Sequence, residues 1–104
     1  MEKNKTLVIG ASDNPARYSN MAILRLRQYG YNVVAIGRKK TQVGDVQVER
    51  ETQRRDDIDT ITLYLNPTHQ LEYYDYFLSL QPRRIIFNPG TENEELERLA
   101  SEKG

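Results

Sequence analysis

Cysteine is missing altogether from these 104 residues. Disulfides, cysteine-based zinc sites and thiol catalysis are thereby excluded, and the chain suits a reducing cytoplasm. Histidine occurs once, at His69. No paired carboxylate, serine or metal cluster is placed to orient it, so a capping or surface role is expected rather than general-base work. A charge excess of either sign is also absent: 15 basic residues cancel 15 acidic ones. No global basic field exists to attract nucleic acid. Long apolar runs are lacking too. The polar start Met1-Glu2-Lys3-Asn4-Lys5 precedes an apolar stretch far too short for a signal peptide or a membrane span. The expectation is one soluble intracellular domain over residues 1–104 with a single modest core.

What is present is a regular alternation of short apolar runs and amphipathic segments. Leu7 to Gly10 and Tyr31 to Gly37 read as buried strands, the second rich in β-branched residues. Between them Ala22, Ile23, Leu26 and Tyr29 fall at helical spacing, with Ser19 as N-cap and Gly30 as the left-handed residue that ends the helix. Val46 to Val48 could add a short edge strand, although the residues after Gly37 are too few for a crossover helix. Arg50 to Asp57 reads as a charged loop or short surface helix, and Asp56, Asp57 and Asp59 as a solvated turn. Ile61, Leu63 and Leu65 alternate with polar neighbours and end in Asn66-Pro67, a cap followed by a first helical position. The helix from Pro67 to Ser79 would bury Leu71, Tyr74, Phe77 and Leu78. Tyr73, Tyr74 and Tyr76 read as packing or an oligomer contact rather than base-stacking groups. Arg84 to Phe87 forms a last strand, and Thr91 with Glu94 fits a capping box before a helix that turns Leu96, Leu99 and Ala100 inward.

This order predicts a doubly wound α/β domain with a mostly parallel sheet of four to five strands. The strands at Leu7, Val33 and Val46 lie to one side, and those at Ile61 and Ile85 to the other. Ligands in such sheets bind at the switch point, beyond the carboxyl ends of the strands. Three loops converge there: Gly10 to Tyr18, Asn66 to Thr68, and Asn88 to Thr91.

Two features of those strand ends carry chemistry. The first loop keeps Gly10 but has Ser12 and Pro15 where a dinucleotide fingerprint has its second and third glycines. A phosphate could still be held by backbone N–H groups and a helix N-terminus, though an ordinary β–α turn would read similarly. Where NAD-binding domains place an acid for the ribose 2′-hydroxyl, this chain has Gly37-Arg38-Lys39-Lys40. If these cations are more than a solvated charge run, they favour a ribose carrying an extra phosphate. NADP has one at the 2′ position and coenzyme A one at the 3′ position.

Gly10-Ala11-Ser12 with Asn14-Pro15, Arg17 and Ser19 resembles the signature of small stand-alone CoA-binding proteins. These are similar to the CoA-binding domain of the succinyl-CoA synthetase α-subunit. Gly44-Asp45-Val46-Gln47-Val48 resembles the family's short segment after the second strand. Asn66-Pro67 and Asn88-Pro89-Gly90 resemble its later strand ends. The resemblance implies a Rossmann-like three-layer fold with the CoA diphosphate at Gly10, Ala11, Ser12 and Asn14. Arg17 and Tyr18 would lie near the phosphates, and the adenosine near Gly37, Arg38 and Lys39. The pantetheine arm would pass Asn66 and Pro67, with Asn88 and Gly90 on the third loop. This chain departs from the family by ending its second strand in Gly37-Arg38 rather than Asn-Pro, and by carrying Asn66 in place of an Arg. A further family strand after the last helix would be missing or supplied by a partner.

The function expected is a non-enzymatic CoA or acyl-CoA binding module, cytoplasmic and without metal, with a homo-oligomer as a further expectation. An NADP(H)-binding oxidoreductase or redox sensor is the alternative. A third reading is an interaction subunit whose nucleotide site has decayed.

Overall fold

The computed structural model describes residues 4–53 and 55–103. Strand β1 (Lys5–Ala11) runs into a loop, helix α1 (Tyr18–Gln28) and strand β2 (Asn32–Gly37). A hairpin of β3 (Thr41–Val43) and β4 (Val46–Glu49) follows. After a loop come β5 (Ile58–Leu63), the short helix α2 (Pro67–Gln70), a 3-10 turn (Leu71–Tyr73) and α3 (Tyr74–Ser79). Strand β6 (Arg84–Phe87) and helix α4 (Glu94–Lys103) end the described fold. No helix among the described residues is long and apolar enough to cross a membrane.

The sheet has six strands in the order β3-β4-β2-β1-β5-β6, parallel throughout except for β3 against β4. The expected placement of strands about β1 holds. The expected count of four to five does not, because β3 offers only three residues and one apolar side chain. That strand also answers the missing crossover. It runs back antiparallel at the sheet edge, so β4 can return parallel to β2 with no helix between them. Gly44, at φ +59, supports the tight turn that joins the pair.

Alternation along the strands divides the core. Leu7 and Ile9 share one face with Ile36, Ile61 and Leu63, covered by Phe77, Leu80 and Leu96. Val8, Ala35, Val43, Val46 and Val48 fill the other face, where Ile23 of α1 packs. Burying each such aliphatic side chain contributes about 1.5–3 kcal/mol.

Several local expectations change. The helix over 67–79 is interrupted by the 3-10 turn, which shifts its phase. Gln70 becomes fully buried, while Leu71 is left 56% exposed. Tyr29 is exposed instead of lying on the buried stripe, although Gly30 does take the left-handed conformation, at φ +83. The cap position of α1 falls on Arg17 with no side-chain bond, while Ser19 is buried inside the first turn. The N-terminus of α4 is capped by Asn93, whose Oδ1 accepts from the Leu96 N–H at 3.1 Å, not by Thr91 with Glu94. The Thr91 hydroxyl donates to the Asn88 carbonyl instead. Asp57 is an ion-pair anchor rather than part of a solvated turn, bonded to Arg55 at 3.0 Å and Lys5 at 3.0 Å. The three tyrosines pack: Tyr73 stacks on Phe77, Tyr74 accepts from Asn93, and Tyr76 donates to the Gln53 carbonyl.

Candidate functional site

At the carboxyl ends of β1, β2, β5 and β6 lies a cleft of about 590 Å³. Its floor is fixed by two glycines with different duties. Gly10 turns the chain out of β1 at φ +91, hard against the backbone of Tyr64. Gly37 lies against the Ala11 carbonyl, where no side chain could fit, and the two residues are register partners across a bulge in β1. The first loop and the β2–β3 turn therefore leave the sheet side by side.

The first loop is shaped by its own side chains. The Asn14 N–H donates to Ser12 Oγ at 3.1 Å, the Ala16 N–H to Asn14 Oδ1 at 2.9 Å, and Asn20 Nδ2 to the Ser12 carbonyl at 3.0 Å. This structure brings the loop to the N-terminus of α1, where backbone N–H groups outnumber intrahelical acceptors. Arg17, Tyr18 and Ser19 line the cleft from there.

Opposite stands the β2–β3 turn. Lys39 Nζ lies 3.0 Å from Asp13 Oδ2, which also accepts from Thr41 Oγ1 at 3.0 Å. The Lys39 ammonium and then the Thr41 hydroxyl hold the Asp13 carboxyl below its ordinary pKa. Arg38 reaches the other way. Its Nη2 approaches the His69 ring, 2.9 Å from Nε2 and 3.2 Å from Nδ1. Because β2 and β5 flank β1, this contact bridges the cleft from the end of β2 to the start of α2.

The third wall rests on a buried amide network. Gln70 Nε2 donates to the Leu65 carbonyl at 2.7 Å and the Thr91 carbonyl at 2.9 Å. Asn93 Nδ2 in turn donates to Gln70 Oε1 at 3.0 Å. The loops after β5 and β6 are thereby joined, and every buried side-chain polar atom among the described residues has a partner.

A CoA binding domain model matches residues 4–104. The chain belongs to the CoA-binding domain family. An uncharacterized protein of known crystal structure superposes with a TM-score of 0.93 at 46% identity, covering 100% of this chain and 86% of the other. A hypothetical protein from Pyrococcus horikoshii OT3 gives 0.83 at 27% identity, covering 99% and 72%. A conserved hypothetical protein from Pyrococcus furiosus gives 0.83 at 25% identity, covering 97% and 88%. No curated protein matches the chain.

Of the residues expected in a CoA site, Gly10, Ala11, Ser12, Arg17 and Tyr18 line the cleft together with Gly37, Arg38, Lys39, Asn66 and Gly90. Asn14, Pro67 and Asn88 are not among the lining residues. Asn14 shapes the loop, and Pro67 occupies the first position of α2. Asn88 Nδ2 is held by Thr62 Oγ1 at 2.8 Å and the Leu63 carbonyl at 2.9 Å. The structure adds Asp13, Thr41, Tyr64, Leu65, His69, Glu72 and Tyr73 to the lining of the cleft. His69 shares its helix-start role with a second one: its N–H donates to Asn66 Oδ1 at 3.0 Å while its ring faces Arg38. Asp13 lies in the first loop between the motif residues Ser12 and Asn14 but is not itself a motif position. Thr41 carried no signal because the hairpin that presents it was not legible.

Proposed function

We propose that this chain binds coenzyme A or an acyl-CoA in the strand-end cleft and holds it without transforming it. One observation carries the reading. Arg17, Arg38 and Lys39 stand around the first loop and the N-terminus of α1, and these three cations outnumber the two lining carboxylates, Asp13 and Glu72. Backbone N–H groups of the first loop and α1 suit the diphosphate, with Arg17 adding charge. Arg38 and Lys39 suit the 3′-phosphate beside the ribose. The pantetheine arm would leave toward Asn66 and Leu65. A holding role is supported by His69: one of its ring nitrogens accepts from the Arg38 guanidinium, and no carboxylate among the described residues is bonded to the ring to orient it.

Calorimetry with coenzyme A, acetyl-CoA, NADH and NADPH tests this reading, with native mass spectrometry of the freshly purified protein beside it. Coenzyme A or acetyl-CoA should bind, and 3′-dephospho-CoA should bind more weakly. The Arg38→Ala/Lys39→Ala double variant should lose that preference, since each charge-assisted bond contributes about 1.5–3 kcal/mol. Tight NADPH binding without coenzyme A binding would instead support a redox role. Failure of every nucleotide, with a stable oligomer, would support an interaction subunit.

A further inference from the structure

We infer that Asp13 is the residue that selects the position of the ribose phosphate: its carboxylate takes the 2′-hydroxyl of a ribose whose 3′-phosphate is held by Lys39. This rests on the reading of the cleft as a coenzyme A site. Ala11 and Gly37 are register partners, so Asp13 and Lys39 leave adjacent strands only two residues beyond that pair. A nucleoside ribose at the end of β2 therefore has the first loop on one side and the β2–β3 turn on the other.

Nucleotide-binding α/β sheets that prefer an unphosphorylated 2′-hydroxyl place an acid at the end of the second strand. Here that strand end is Gly37-Arg38-Lys39, and the carboxylate comes across from the first loop instead. Its bonding leaves room for a ligand. Lys39 Nζ and Thr41 Oγ1 both meet Oδ2, and the residue's own backbone N–H is a further donor to the carboxylate, so three donors leave it acceptor capacity. A carboxylate offers about four acceptor sites and an ammonium three donors. Lys39 can keep Asp13 and still donate to a 3′-phosphate, and the carboxylate can accept a hydroxyl. A 2′-phosphate would bring a second anion against the same carboxylate and remove that hydroxyl donor. Specificity of this kind uses a repulsive element beside the attractive one.

The experiment compares coenzyme A with its isomer carrying the phosphate on the 2′ oxygen. Affinities are measured calorimetrically for the wild type, Asp13→Asn and Thr41→Val. Wild type should prefer coenzyme A by about tenfold or more, and Asp13→Asn should shrink that ratio, chiefly by improving the 2′ isomer. Thr41→Val loosens the same turn without touching the charge, so its ratio should stay that of wild type. Unfolding midpoints confirm that all three proteins are folded. The inference is overturned if Asp13→Asn keeps the wild-type ratio, or if Thr41→Val lowers it equally. A wild type that binds coenzyme A but shows no preference overturns it while leaving the coenzyme A reading intact. A wild type that binds neither isomer overturns both.

Discussion

Gly37 lies against the carbonyl oxygen of Ala11, closer than any side chain would permit. The contact joins the end of β2 to the bulge at the end of β1. It also places the two loops that carry Asp13 and Lys39 beside each other. A glycine at the end of the second strand therefore has a packing reason that is independent of any ligand.

Gly37→Ala should test that relationship. The added methyl must push β2 from the Ala11 carbonyl of β1, and it also crowds the Val48 side chain. Overpacking of this kind costs about 1–3 kcal/mol. Chemical denaturation should show that loss, and coenzyme A binding should weaken with it because the first loop moves.

The parallel sheet was legible because its strands are short apolar runs bounded by Gly, Pro and Asn. The cleft was legible in part for the same reason: strand ends mark it, and Gly10, Arg38 and Asn66 all sit at strand ends. What escaped depends on long-range packing. The phase shift at Leu71–Tyr73 follows from the burial of Gln70 against two loops, 21 residues apart in one of its bonds. Local periodicity favoured an unbroken helix with Leu71 inside. The cap of α4 was displaced similarly. Asn93 is both helix cap and partner of Gln70, so the network selects it over Thr91, whose hydroxyl is taken by the Asn88 carbonyl.

Gln70→Met removes the polar end of a fully buried side chain while keeping its approximate length. The carbonyls of Leu65 and Thr91 and the Asn93 amide would each lose a partner. An unsatisfied buried group costs about 1–3 kcal/mol, and a loss near the top of that range is expected in denaturant unfolding. The loops after β5 and β6 should also loosen. Hydrogen exchange at Leu65 and Thr91 should rise more than at Val8 or Ala35 on the opposite face.

Acid should act through Asp57. Hydrogen bonds from Arg55, with Lys5 beside them, hold its carboxyl down to about 2 against the opposing effect of partial burial. Its pKa is lower folded than unfolded. The stabilisation is therefore full above the ordinary carboxyl value of 3.8 and disappears as pH falls toward about 2. Melting temperature followed over that window should fall for wild type. Asp57→Asn should be less stable at neutral pH and show a shallower acid slope, because the proton-linked part of the loss is gone. Equal slopes would assign acid sensitivity to other carboxylates.

Arg17 offers the cleanest separation of binding from folding. It stands at the cap position of α1 and lines the cleft, with no side-chain cap bond and no ion pair among the described residues. Removing an exposed, unpartnered guanidinium should leave stability within about 0.5 kcal/mol of wild type. A diphosphate at the helix N-terminus, however, would lose a charge-assisted partner of about 1.5–3 kcal/mol. Arg17→Ala should therefore bind coenzyme A about ten- to a hundredfold more weakly while unfolding at the same denaturant concentration. Arg17→Lys should recover only part of the loss, because an ammonium lacks the planar fork that matches two phosphate oxygens. If Arg17→Ala bound coenzyme A as wild type does, the diphosphate would have to lie away from α1, nearer the Arg38–His69 bridge.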